Sequence, residues 1–557
     1  MWPLFRQARY LRRYRQIARV LVAHGFGYLV DQLGLASLLA LPTRLLQRPP
    51  AHTASAPERL RLVLTALGPT FVKLGQILST RPDLVPPGYI TELSLLQDAV
   101  PPFPADQAIA LIEHDLGQPL AELFAQFERT PLAAASLGQV HAAVLHDGTQ
   151  VVVKVQRPEI ERTVANDLAI LSELATLAQE RTPFGDQYDL EELAWEFGAT
   201  LRAELDYRRE LRNGERFRQN FADNSFTVVP QMYPDLCGER VLVSERLFGL
   251  KINDVAGIDA AGIDRVLLAH RSLELILQQV FTDGFFHGDP HPGNLFALPG
   301  AVIGAVDFGQ TVTLDRDTTD RLLDLLIALT RHDPDAALRA LQDLGMLEQH
   351  EIDTPLRRDM LRFIDLFVDR PLSQISARET AGELFALAQR HHLRMPAPLA
   401  LLLKAIMMME GTGVLLDPTL DVFGVARPYV ARALANRISP AATARRVSTG
   451  VHDLAELARD VPREARSTLR RLNAGDLLVT TRDPDTRRVA SSLALAGSQI
   501  ALAVVVLGAV LGLGLMTIAG AIGGVGTALI VAIVLFSLLF GGAGTALALS
   551  LLRGQRE

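Results

Sequence analysis

His287-Gly288-Asp289-Pro290-His291-Pro292-Gly293-Asn294, followed by Val306-Asp307-Phe308-Gly309, is the stretch that decides the fold. Asp289 stands five residues before Asn294, and Asp307 heads an intact Asp-Phe-Gly after the apolar run 301–306. An aspartate and an asparagine supply hard oxygen ligands of the kind magnesium prefers, here Asp307 and Asn294. A further carboxylate at Asp289 can orient or deprotonate an attacking hydroxyl or water. A polar loop between helices can match one such motif by chance, but here two spaced motifs agree.

Upstream, residues 140–145 and 151–155 read as strands joined by an Asp147-Gly148 hairpin turn. Val151-Val152-Val153-Lys154 ends in a lysine, the residue type that pairs with nucleotide phosphates from a strand. A lysine that snorkels from a sheet edge would look the same. Before it comes a turn of small residues, Ala133-Ala134-Ala135-Ser136-Leu137-Gly138-Gln139-Val140, in the right order for a phosphate-covering loop. Alanines occupy positions where a protein kinase carries glycines, so the loop should be stiffer, because alanine reaches positive φ less easily. Gly138 reads as a permissive variation within it.

A carboxylate must hold Lys154, and Glu204, Asp206 and Glu210 are the candidates. On one continuous helix Asp206 and Glu210 share a face, with Glu204 well round from Glu210. A solvated acidic face accounts equally for any one of them. Glu245 falls where a hinge between two lobes would lie.

A small strand-rich part precedes a large helical part, which is the order of a protein kinase. The expected fold is therefore α+β and two-lobed, with a helical N-terminal extension and a C-terminal transmembrane hairpin. The expected parts are a basic N-terminal segment and linker (1–58), an extension (59–131), an N-lobe (132–246), a helical C-lobe (247–435), a connector (436–488) and two membrane helices (489–552). Residues 59–76 read as one helical region, and a long helical stretch runs on to Phe221.

Gly68-Pro69-Thr70-Phe71-Val72-Lys73-Leu74-Gly75-Gln76, continuing through Ser79-Thr80-Arg81-Pro82-Asp83-Leu84, has no counterpart in ordinary kinases. It resembles the Lys-x-Gly-Gln signature of the UbiB family, also called AarF-type, of atypical kinase-like ATPases. The alanine-rich turn and Glu204-Leu205-Asp206 resemble that family's other motifs. The resemblance implies ATP or ADP and magnesium as cofactors, Asp289 and Lys73 as catalytic residues, and Asn294 and Asp307 on the metal. It implies that residues 133–140, Lys154, Glu204, Asp206, Glu210 and Glu245 line the nucleotide site. Lys73 would reach the Glu204/Asp206 motif, Glu210 would pair with Lys154, and the extension would guard the site. It implies a role in ubiquinone biosynthesis, with membrane lipids, ubiquinone precursors or biosynthetic proteins as partners; a homodimer stays open. A membrane-tethered protein kinase and a nucleotide-binding pseudokinase scaffold are the alternatives to an ATPase.

No charged residue occurs between Arg488 and Arg553, a run that suits two spans near 493–518 and 528–550 around a glycine-rich turn. Arginines flank both ends, so the positive-inside rule puts both in the cytoplasm. This predicts a multi-pass membrane protein with a cytoplasmic catalytic domain, and the resemblance of the two spans to the bacterial branch of the UbiB family implies the bacterial inner membrane. Arg6, Arg9, Arg12, Arg13, Arg15 and Arg19 precede any acidic residue. They read as a basic amphipathic helix on anionic lipid, as a helix packed on the domain, or as a presequence. No signal peptide is apparent.

At 557 residues the chain exceeds one ordinary core. Its 49% apolar and 6% aromatic composition favours helices. A net charge of −7 argues against broad nucleic-acid binding, which needs a basic face. The single cysteine, Cys237, excludes a disulfide framework and reads as a bystander. Only four residues are lysines: Lys73, Lys154, Lys251 and Lys404.

Overall fold

Valine-rich strands build the small lobe. In this computed structural model Gly138–Val144 and Gln150–Gln156 form an antiparallel hairpin, and Val241–Glu245 pairs with the far side of the second strand. Gln126–Phe127 and Ala133–Ala134 pair with Gly138–Val144. Val151, Val153 and Val155 are fully buried and pack with Val241, Val243, and Ala108 and Ile112 of the helix Ala105–Leu116. The two-residue period of a strand therefore turns Lys154 to the opposite face. The small lobe starts ahead of residue 132, because the helix Ala105–Leu116 and the strand Gln126–Phe127 already pack on its sheet. A two-residue strand has no alternation for a sequence pattern to reveal.

The structure describes residues 10–35 and 54–438, apart from residues 80, 82–83, 97–99, 187, 348–351, 369–376 and 392. Both expected membrane spans and most of the connector lie outside the described residues.

The N-terminal segment carries helices Leu11–Ala23 and Gly27–Gln32, and with the extension helices Ala56–Leu67, Pro69–Leu78 and Pro87–Leu93 it forms one bundle. Their core joins Tyr14, Ile17, Phe26, Val63, Leu67 and Phe71 to Ile170 and Leu177 of the helix Ile160–Arg181. The apolar face of Leu11–Ala23 is thus spent on the protein, while Arg12, Arg15 and Arg19 stay exposed. Arg13 grips the buried carboxylate of Asp167 at 2.8 Å and donates to the Leu67 carbonyl at 2.7 Å. This is the helix packed on the domain. Residues 59–76 are not one helix. Gly68, at φ +96°, ends Ala56–Leu67, and Pro69 opens the next helix.

The stretch to Phe221 likewise divides into Ile160–Arg181, Leu190–Glu204 and Tyr207–Asn220. In the large lobe Arg265–Gln278 runs along Ala397–Leu416, and two small sheets carry the polar loops. One sheet holds Leu250–Lys251, Leu295–Leu298, Val302–Ala305 and Thr227–Val228; the other pairs Phe285–His287 with Thr311–Thr313. Leu268, Ile276, Phe286, Phe308, Ala405 and Met409 share the main core. A second core unites Leu338, Leu341, Met360, Phe363 and Leu387 across the helices from Arg316 to Arg390. Among the described helices, Ala397–Leu416 alone is long and apolar enough to cross a membrane, with mean hydropathy 1.8. Half of it is buried, and Leu402, Ala405 and Met409 sit in the lobe's core.

Candidate active site

Lys154 extends from the second strand of the hairpin into the cleft between the lobes. Its Nζ lies 2.9 and 2.8 Å from the two oxygens of Glu210, and 3.5 Å from Asp307 Oδ1. Glu210 is buried on Tyr207–Asn220, whose first turn is capped by Asp206. Burial pushes Glu210 up to about 7, against the pull of Lys154. Burial works against the charge on Lys154, but Asp307 and Glu210 raise it well above the usual value, so it stays an ammonium. The phenol ring of Tyr207 lies 5.2 Å from the same ammonium.

Glu204 and Asp206 do not act as a pair. The helix Leu190–Glu204 stops before Asp206, whose carboxylate accepts from the Arg208 amide at 3.1 Å and its guanidinium at 2.9 Å. Glu204 is left facing Lys73, 3.2 Å away, from the extension helix Pro69–Leu78. The break is why Glu204 and Glu210 can both serve the cleft, which one continuous helix would forbid.

Ala133 and Ala134 pair with Val140 and Gln139, and the Ala135 amide donates to the Gly138 carbonyl at 2.7 Å. Ser136 is buried at the bend. Leu137 seats its side chain among Ile160, Leu168, Phe197 and Leu201, against Leu74 and Ile77 of the extension. Arg157 clamps the turn by donating to the Ala135 carbonyl at 3.1 Å. Gly138 is required rather than permissive, since a Cβ would come within 2.5 Å of the Val155 carbonyl and 2.6 Å of Tyr207 Oη. Val140 stands opposite Lys154 in the hairpin. Gln139 faces away from the cleft and bonds Phe103 and His141. Glu245 closes the last small-lobe strand, but its carboxylate accepts from the Gln231 amide at 3.1 Å.

The opposite wall is polar. Asp289 accepts from Lys404 Nζ at 2.8 Å, and Asn294 Nδ2 donates to the Asp289 carbonyl at 3.2 Å. His287 Nδ1 accepts from the Asp289 amide at 3.1 Å, so its proton sits on Nε2, facing the Val306 carbonyl. Burial lowers its basicity and keeps it neutral. Asp307 adopts φ +63°, a left-handed backbone that aspartate tolerates at a cost of about 1 kcal/mol. Asn213 anchors the next carbonyl, that of Phe308, at 2.9 Å. Burial would raise Asp307, but Lys154 above all, with Lys73 adding, holds its carboxyl below the usual range.

A lysine held by a glutamate and set against the aspartate of an Asp-Phe-Gly is the geometry of a kinase cleft. The comparisons agree. Residues 95–341 match the ABC1 atypical kinase-like domain, and residues 360–421 match the UbiB helical domain. The probable protein kinase UbiB of Pseudomonas putida F1 is 38% identical over 460 residues, covering 80% of this chain and 85% of that protein. The chain belongs to the UbiB family of atypical kinases. The Xanthomonas axonopodis relative, also a probable protein kinase UbiB, is 36% identical over 92% of this chain and 93% of its own. An uncharacterized Synechocystis protein is 37% identical over 77% and 74%.

Sequence reasoning passed over Lys404, Lys251 and Tyr207 in this UbiB site. Lys404 had a signal: a lysine among Leu401, Leu402, Leu403, Ala405 and Ile406 is out of place unless it meets an acid. Lys251 Nζ donates to the Gly293 carbonyl at 2.5 Å, so all four lysines contact residues of the cleft.

Proposed function

We propose that this UbiB-family chain is a membrane-bound, magnesium-dependent ATPase that supports ubiquinone biosynthesis. The observation that carries the reading is the cluster of Lys154, Glu210 and Asp307 within 3.5 Å. The residues present fit the implied cofactors. Asp307 is held ionised, and Asn294 spends its amide nitrogen on Asp289, leaving its amide oxygen as a donor to metal. No cluster of three His, Cys, Asp or Glu able to hold a metal occurs among the described residues. That suits magnesium, which takes one or two protein oxygens and completes its shell with phosphates and water. Among the described residues, buried Glu204 Oε2 and Tyr207 Oη have no hydrogen-bond partner, and the Tyr207 ring lies by Lys154, which supports a polar occupant in the cleft.

Bound magnesium would neutralise charge on the nucleotide's phosphates. Lys154 would bind those phosphates, with Glu210 fixing its direction. Asp289 would accept a hydrogen bond from the attacking water. The turn 133–140 is closed by Leu137 and Arg157, and the extension adds Lys73 from the same side. A cleft guarded this way favours water over a bulky protein acceptor. The uncharged run 489–552 supports a membrane anchor, and family membership supports lipid precursors of ubiquinone, or the proteins that process them, as partners.

In a bacterium lacking its own gene of this family, the full chain should restore ubiquinone, measured by chromatography of lipid extracts. Asp307→Asn, expressed at equal level in membranes, should not. Restoration by that variant would turn the reading toward a scaffold.

A further inference from the structure

The chain has 55 lysines and arginines, and only four are lysines. Each of the four touches the cleft: Lys73 on Glu204, Lys154 on Glu210 and Asp307, Lys251 on the Gly293 carbonyl, Lys404 on Asp289. A lysine presents a compact point charge on a flexible stem, whereas arginine's planar fork prefers bidentate partners. The first two lysines belong to the motifs already read. Lys404 does not. It projects from the middle of the core helix Ala397–Leu416, where neighbouring Leu402 and Ala405 are buried. An ammonium there is tolerable only when paired. Its partner is the aspartate of the polar loop, 2.8 Å away. The helix lies within the segment matching the UbiB helical domain, beyond the end of the kinase-like match at residue 341.

We propose that Lys404 is a positioning residue through which the helical domain completes the active site, holding one oxygen of Asp289 so that the other meets the attacking water. This rests on Asp289 acting as the nucleophile-orienting group. Other groups hold the same loop: Gln279 Oε1 accepts from the His287 amide, His291 Nδ1 from the Gly293 amide, and the Gln310 carbonyl from the Gly288 amide. The His287 ring accepts from the Asp289 amide, Asn294 bonds the Asp289 carbonyl, and Lys251 Nζ, 3.8 Å from the Phe296 ring centroid, donates to the Gly293 carbonyl. All of these grip backbone. Lys404 grips the Asp289 carboxylate itself.

The test is a double-mutant cycle of Lys404→Met and Asp289→Asn in the full chain, reconstituted in liposomes with MgATP, beside Lys404→Arg. Lys404→Met should lower kcat roughly 10- to 100-fold, the range seen when the partner of a functional group is removed. Its KM for ATP should stay within about twofold and its melting temperature within a few degrees. Lys404→Arg should recover part of the loss. In the Asp289→Asn background Lys404→Met should add nothing. Wild-type kcat in Lys404→Met, or losses that multiply in the double variant, would overturn the proposal.

Amide hydrogen exchange in residues 287–294 separates this from the ATPase reading. If wild type released no phosphate, that reading would fail on its own. Lys404 would then be judged by whether Lys404→Met speeds exchange in the loop about tenfold or more; unchanged exchange would overturn it.

Discussion

Two walls face each other across the cleft and are held by different forces. The upper wall, residues 133–140, presents alanines and backbone, and is fixed by Leu137 in an apolar nest and Arg157 on its carbonyls. The lower wall, residues 287–309, is a network of charges and hydrogen bonds: Lys404 on Asp289, Asn294 on the Asp289 carbonyl, Lys154 and Glu210 about Asp307. Apolar packing fixes shape without directing charge, whereas charged pairs in a partly buried site set the direction of each functional atom. The upper wall thus limits what can enter, and the lower wall acts on it.

The largest effect expected from breaking this contrast is at Asp307. Asp307→Asn keeps the shape but removes the charge opposite Lys154. Phosphate release should fall about 10³-fold, within the range for loss of one electrostatic group in a site. A drop under tenfold would mean that the lower wall is not the chemical one.

Leu137→Ala attacks the other wall. Removing a buried leucine side chain should cost about 2 to 3 kcal/mol of stability, read as a lower urea midpoint. Turnover per folded molecule should not fall. A tenfold fall would mean that the upper wall directs chemistry as well. Gly138→Ala places a Cβ against the Val155 carbonyl and Tyr207 Oη, and should cost about 1 to 3 kcal/mol by overpacking. A neutral result would show that the turn relaxes more easily than its clamps suggest.

The smallest effect is expected at Asp283, which closes the helical turn Gln279–Asp283 ahead of the polar loop. Burial pushes the Asp283 carboxyl up to about 6, with Arg216 only partly offsetting it. Its folded value thus exceeds the unfolded value of about 4. The folded state binds the extra proton between those values, so stability falls as pH rises from about 4 to 6 and stays lower above. Asp283→Asn should therefore stabilise the chain by about 1 to 2 kcal/mol at pH 8 and by almost nothing at pH 4. Equal melting shifts at both pH values would refute the cause given.

The lower wall was legible because fixed spacing carries its chemistry: Asp289, Asn294 and Asp307 could be named without knowing where the helices lie. Pattern narrowed the partner of Lys154 to three acids, and only the family resemblance gave it Glu210 and sent Lys73 to Glu204 or Asp206. Choosing Glu204 needed the helix break at Asp206, where the carboxylate caps the next helix and leaves Glu204 to Lys73. Gly138 looked incidental because its reason is a close approach by Val155 and Tyr207, far away in the chain. Lys404 was counted but not assigned, since only folding brings the core helix beside Asp289. The small lobe's early start was hidden in a two-residue strand, too short to show a period.

The most direct test of the account is phosphate release from MgATP by the full chain in liposomes, beside Asp307→Asn, with nucleotide binding followed in parallel by fluorescence. The account predicts that wild type hydrolyses ATP only with magnesium, and that Asp307→Asn loses hydrolysis about 10³-fold. Wild type that binds nucleotide tightly yet releases no phosphate, or a variant that turns over like wild type, would contradict it.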